Sequence, residues 1–161
     1  MGFNVKQQKR RRKIAMSDAE LDDFLGNEWT CRVATTGANG PHISPLWFVW
    51  HVDALWLTSI VKSQRWTDIQ RDPRISVSVD TGTVYQELRG AELIGRARAV
   101  GEVPRAGEPN PELDEVELIF ARKYYDRAQM NHDKRHAWLC LLPEKIVSWD
   151  FRKIAALEAG S

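Results

Sequence analysis

Between Pro41 and Asp80 the chain reads PHISPLWFVWHVDALWLTSIVKSQRWTDIQRDPRISVSVD, and no other stretch limits the fold as much. Apolar and polar residues alternate through PHISPLWFVW well enough for a half-buried strand. Val52-Asp53 suits the centre of a two-residue hairpin. ALWLTSI then returns as a second strand ending in two hydroxyls, Thr58 and Ser59. A short basic helix follows, Asp72-Pro73 stops it, and RISVSVDT (74–81) is a further strand.

The flanking segments extend this pattern. Ser17 and Glu20 form a capping box around a first helix, with Met16 and Leu21 as a staple and Leu21, Phe24 and Leu25 as its apolar face up to Gly26. WTCRVATT (29–36) is a strand turned by Gly37-Ala38-Asn39-Gly40 into the next, so these two make a hairpin. Pro41 and Pro45 lack ladder donors, which places parts of that second strand at an edge or a bulge. Tyr85–Leu88 and Ala91–Glu102 suggest two strands or one long bent one, with Gly90, Gly95 and Gly101 at bulges or turns. Asn110 caps and Pro111 opens a helix reaching about Arg127. His136–Leu142 and Lys145–Phe151 close the fold around Pro143. Six or seven strands in sequential hairpins, with helices in the connections, give a mainly β (α+β) protein and favour an antiparallel barrel over a doubly wound parallel sheet. The expected boundaries are a disordered basic arm at 1–14, one barrel domain at 15–152 and a loose tail at 153–161.

Composition narrows the function classes. A chain of 161 residues is one domain with a real core, and a formal net charge of +1 argues against nucleic acid as a partner. The arm KQQKRRRK (6–13) is almost purely cationic and suits either disorder or contact with an anionic partner. Cys31 and Cys140 sit in apolar strand-like runs, which suits buried free thiols in a reducing compartment, with a single bridge between them as the alternative. No apolar run reaches membrane-spanning length and no signal peptide is visible, so a cytoplasmic protein without a membrane partner is expected. Seven tryptophans are many for this length and suit a pocket or subunit interface.

Several chemistries lack their motifs. There is no GxGxxG after a strand, no Walker loop, no GxSxG and no paired-cysteine zinc spacing. His132 and His136 are four apart, but Lys134 and Arg135 lie between them without a third ligand, so no metal is expected. What remains is the strand end at Thr58-Ser59 followed by Lys62, Ser63, Gln64 and Arg65 at a helix start. Hydroxyls, cations and unpaired N–H groups together make an anion site. The same residues would also serve as an ordinary solvated basic turn. Beside aromatic strands, an anion site suits a cofactor with a flat ring and a phosphate.

These pieces, ATTGANGPHISPLWFVW, LWLTSIVKSQRWTDIQRDPRISVSVD and YQELRGAELIGRARAVGE, closed by LLPEKIVSWDF, resemble the flavin and deazaflavin split β-barrel family related to pyridoxamine 5'-phosphate oxidase, especially its actinobacterial F420-dependent reductases. The resemblance covers roughly residues 15–152. It implies an antiparallel split barrel of the FMN-binding type, forming a homodimer with the cofactor between subunits. It places Ile43, Ser44, Pro45, Leu46 and Trp47 along the ring, Thr58 and Ser59 at the phosphate or ribityl chain, and Lys62, Ser63 and Arg65 on the phosphate. Relatives often carry lysine where Arg65 stands, and an arginine presents a different hydrogen-bond fork. Tyr85 and Trp149 would come from the partner subunit. The implied activity is F420-dependent hydride transfer to an unsaturated small molecule. The alternatives are an FMN-binding oxidase or flavin carrier of the same barrel, and a non-enzymatic ligand-binding or interaction protein. The chain lacks the closing arginine-containing motif that true pyridoxamine phosphate oxidases use for substrate. The longer anionic tail of F420 would run along Lys62, Arg65, Arg71 and Arg74, with the arm at 9–13. No catalytic residue stands out, since in this family the cofactor carries the reactive hydride.

Overall fold

The computed structural model describes residues 5–161. Its elements in chain order are α1 (Asp18–Asn27), β1 (Thr30–Gly37), β2 (Gly40–His51), β3 (Ala54–Ile60), α2 (Gln64–Arg71), β4 (Arg74–Thr81), β5 (Arg89–Val100), α3 (Pro111–Tyr125), β6 (His136–Asp150) and α4 (Arg152–Ala159). The six strands close into an antiparallel barrel in the order β1-β2-β3-β6-β5-β4, with β4 returning to β1. Fold class and architecture are those expected from the sequence.

Each hairpin follows from local chemistry. Val52 and Asp53 both adopt left-handed backbone, with φ of 46° and 57°, so the β2–β3 turn has the twist that a two-residue hairpin requires. Inward positions of β1, β3, β4 and β5 (Val33, Leu55, Leu57, Val77, Leu93) fill the interior, and α1 adds Leu21, Phe24 and Leu25 to the same cluster. Ser17 and Glu20 form the capping box of α1, which runs on through Gly26 to Asn27. Outside the barrel, α3 lays Leu113, Val116 and Phe120 over Val49, Trp56, Trp138 and Cys140. Both cysteines are buried and free. Among the described residues, no helix is long and apolar enough to cross a membrane.

Two regions left open or divided by the sequence form single strands. β5 is a single strand, and Tyr85–Glu87 before it forms one 3-10 turn. β6 is likewise continuous through Pro143, because Pro143 stands opposite Gly95 where the β5–β6 register shifts and no donor is required.

Both termini are more ordered than expected. The arm was expected to be disordered over 1–14; residues 1–4 lie outside the described residues, but from Lys6 it lies along β6. Lys6 N donates to Glu144 O at 2.9 Å, and the Gln8 amide exchanges hydrogen bonds with the Ser148 backbone at 3.0 and 3.2 Å. The reason is a bare strand edge. β6 pairs with β3 only as far as Leu141, so its later residues would otherwise leave backbone groups open on that side. The tail expected to be loose at 153–161 instead forms α4, whose Ile-Ala-Ala-Leu-Glu-Ala run has strong helix propensity. Lys153 fastens it to α1 through Ala15 O at 2.9 Å and Glu20 Oε2 at 2.6 Å.

Candidate functional site

The barrel is split between β2 and β3. The two strands pair only over Phe48–His51 with Ala54–Leu57; before Phe48 and after Leu57 they separate. Pro41 and Pro45 both fall in the separated part of β2, which keeps β1 as its partner, so the sequence inference of an unpaired edge holds there. Period-2 alternation sorts the residues at the split onto two sides. Pro45, Trp47 and Thr58 open into an outer cleft of about 620 Å³, whereas Ser44 and Ser59 turn inward.

The inward side holds a cation. Arg65, on the first turn of α2, is only 7% exposed. Its Nε donates to Ser59 Oγ at 3.1 Å and its Nη1 to Ser44 Oγ at 2.5 Å, so one guanidinium bridges the two separated strands. Burial pulls the Arg65 pKa below its ordinary value. Among the described residues no carboxylate pairs with it. Asp68, one turn on, instead accepts from Thr35 and Gln64, both at 2.8 Å. The neighbouring Cys31 thiol is pushed up to about 12 by burial and carries no charge at neutral pH. A buried cation with two hydroxyls and no anion is costly to maintain unless an anion arrives.

The other expected residues divide. Lys62 is exposed in the turn before α2, without an ion-pair partner among the described residues. Ser63 caps α2, its hydroxyl accepting from Trp66 N at 3.2 Å. Leu46 and Trp47 line the outer cleft, and Trp47 stacks on Tyr124 with centroids 4.4 Å apart and planes 8° from parallel. Ile43 lies 64% exposed on the same outer face. Tyr85 and Trp149 are not brought to this cleft within the chain: Tyr85 packs on Phe151 at 5.0 Å, and Trp149 covers Gly90, where any Cβ would meet its ring. The cation track is also shorter than expected. Arg74 is held by Asp72 at 2.6 Å, Arg71 donates to Thr36 O at 2.9 Å, and the basic arm lies beside the far half of β6.

The segment from Arg127 to Asp133 and the start of β6 form the opposite wall of the cleft, and of these the sequence singled out only His132 and His136. His132 and His136, weighed as a metal pair, turn to different carboxylates: Glu117 at 3.1 Å and Asp133 at 2.6 Å. Glu117 also accepts from Arg105 Nε at 2.7 Å and Trp138 Nε1 at 2.9 Å. Burial raises its pKa, but these donors outweigh burial and hold it below the usual value. Arg105 reaches on to Glu102 at 2.6 Å, and the backbone N–H groups of Ala106, Gly107 and Glu108 close around that carboxylate. Three long-range partners gathered on α3 leave no local sequence signal.

A profile of the pyridoxamine 5'-phosphate oxidase family matches residues 17–150, nearly the whole barrel. The chain belongs to that family. No curated protein matches the chain. Among solved structures it is similar to a conserved hypothetical protein from Mycobacterium tuberculosis, 29% identical over 92% of this chain and 93% of the other, with a TM-score of 0.77. It also resembles an FAD-binding protein from Mycobacterium smegmatis, at 22% identity, 85% and 98% coverage and a TM-score of 0.62. An F420 reductase aligns at 18% identity, 78% and 94% coverage and a TM-score of 0.56. The pyridoxamine 5'-phosphate oxidase family match and the closed six-strand antiparallel barrel agree on the fold.

Proposed function

We propose that the protein is an F420-dependent reductase that transfers hydride to an unsaturated small molecule, working as a homodimer with the cofactor between subunits. The observation that carries this reading is Arg65: a buried, uncompensated guanidinium bridging Ser44 and Ser59 at the split, which fits a phosphate better than any neutral ligand. The family match and the structural likeness to an F420 reductase support a ring-and-phosphate cofactor.

When bound, the deazaflavin would supply the hydride chemistry that the side chains lack. The chain's own residues bind and orient. Arg65 with Ser44 and Ser59 would hold the phosphate, and exposed Lys62 would add charge at the mouth. Pro45, Trp47 and Thr58 form the adjoining wall, where aromatic surface excludes water from a flat ring. Exposed apolar residues around this wall, Ile43 at 64% and Trp47 at 40%, suit a partner subunit closing the groove.

FMN is the second reading, favoured by one observation. With Arg74 neutralised by Asp72 and the arm directed elsewhere, few cations remain for the long oligoglutamate tail of F420. Titrating the purified protein with each cofactor and following fluorescence quenching separates the two. Tighter binding of F420 supports the reductase, tighter binding of FMN the flavoprotein, and no binding of either removes both.

A further inference from the structure

Two imidazoles line the cleft, and the more exposed of them, His136, is fixed in orientation while its Nε2 has no partner among the described residues. His136 opens β6 and lines the cleft with Thr58, which belongs to the neighbouring strand. Its Nδ1 lies 2.6 Å from Asp133 Oδ2. Asp133 is itself fixed, because its Oδ1 accepts the backbone N–H groups of Arg135 at 2.8 Å and His136 at 3.0 Å. Burial acts to raise the Asp133 pKa, but these donors and the ring hold it below the ordinary value, so the carboxylate is anionic at neutral pH. An anionic acceptor at Nδ1 demands a proton there and leaves Nε2 as the exchangeable position. Among the described residues nothing bonds Nε2, and the side chain keeps 34% of its surface. His132, four residues earlier, is occupied by Glu117.

We propose that His136, positioned by Asp133, is the proton donor of the cleft; this rests on the reductase reading. When bound, the reduced deazaflavin would supply hydride to the electron-poor end of a substrate double bond, and the π electron pair would then rest on the other end. That atom takes the proton from His136 Nε2. The substrate gains two electrons and two hydrogens, and the cofactor loses a hydride. The imidazole is left neutral with Nδ1–H still on Asp133, and water reprotonates Nε2. His136 is thus the catalytic residue and Asp133 the positioning residue.

Three measurements on the full chain test this. Nitrogen-15 NMR of the cofactor-free protein should find neutral His136 carrying its proton on Nδ1. In Asp133→Asn the two backbone donors hold the amide oxygen, the NH₂ faces Nδ1, and the proton should move to Nε2; a wild type already protonated at Nε2 overturns the proposal. Diethyl pyrocarbonate should modify His136 in the free protein, and bound F420 should slow this at least about fivefold; equal modification would place Nε2 outside the cofactor cleft and overturn it. With 2-cyclohexenone as probe acceptor, His136→Gln should lower the single-turnover rate roughly 10²- to 10⁴-fold while cofactor affinity stays within about twofold. An unchanged rate contradicts the assignment. A wild type that binds F420 but leaves the enone untouched removes the reaction this residue would serve, and the proposal falls with it. Failure to bind F420 in the quenching titration identifies instead a failure of the reductase reading.

Discussion

Arg65 donates to Ser59 Oγ at 3.1 Å on the inner side of β3, while Thr58, the preceding residue, faces the outer cleft. Neighbours in sequence therefore serve two compartments, one holding a buried charge and the other an aromatic wall. The split between β2 and β3 joins them.

The Arg105 network closes the back of the cleft and is a largely buried ion-pair cluster. Arg105 is 5% exposed and binds both Glu102 and Glu117. Arg105→Met leaves two carboxylates facing each other without their cation and should cost about 3–5 kcal/mol, read by urea unfolding at neutral pH. The Glu102 carboxyl, which burial would raise, is drawn down to about 2 by its backbone donors and Arg105. A depressed folded-state pKa gives stability that is complete above about pH 4.5, the ordinary glutamate range, and lost as pH falls toward 2. Glu102→Gln should flatten that acid limb, and an unaltered limb would contradict the assignment.

Much of this architecture is legible in the sequence because it rests on local rules. Period-2 alternation gave the strands, Val52-Asp53 the hairpin, and the Pro41 and Pro45 pair an unpaired edge. What escaped depends on distance. Arg65 is legible as a cation of a candidate anion site, but its burial is not, and only the inward turn of Ser44 and Ser59, from two strands, shows it. The arm reads as disorder because the bare edge of β6 that it covers is more than a hundred residues away. His136 reads only as half of a rejected metal pair with His132, and its partner Asp133 is not singled out, until β6 is seen to begin at the mouth of the cleft.

Val52 is a β-branched residue in left-handed backbone, 78% exposed at the β2–β3 turn. Val52→Asn relieves that strain without touching the core and should stabilise the protein by about 1 kcal/mol. Chemical denaturation with an unchanged m-value checks it; a loss of stability would mean that Val52 is covered in the assembled protein.

Multi-angle light scattering at micromolar concentration should give twice the chain mass. Trp47→Glu places a charge on the exposed outer wall of β2 and should shift the protein toward monomer. A monomer mass for the wild type would remove the two-subunit groove from the account.

The most direct measurement titrates Arg65→Met and Lys62→Ala with F420 and with its phosphate-free form, beside riboflavin and FMN. Losing a charge-assisted hydrogen bond costs on the order of 1.5–3 kcal/mol, so Arg65→Met should weaken the phosphorylated cofactor roughly 10- to 150-fold. Exposed Lys62 should matter only a few-fold. The cofactor-free melting temperature of Arg65→Met should hold or rise, since a buried charge without a partner is exchanged for apolar volume. Phosphate-free cofactor should bind Arg65→Met and wild type alike. Equal loss with both cofactor forms, or no loss with either, would contradict Arg65 as the phosphate site.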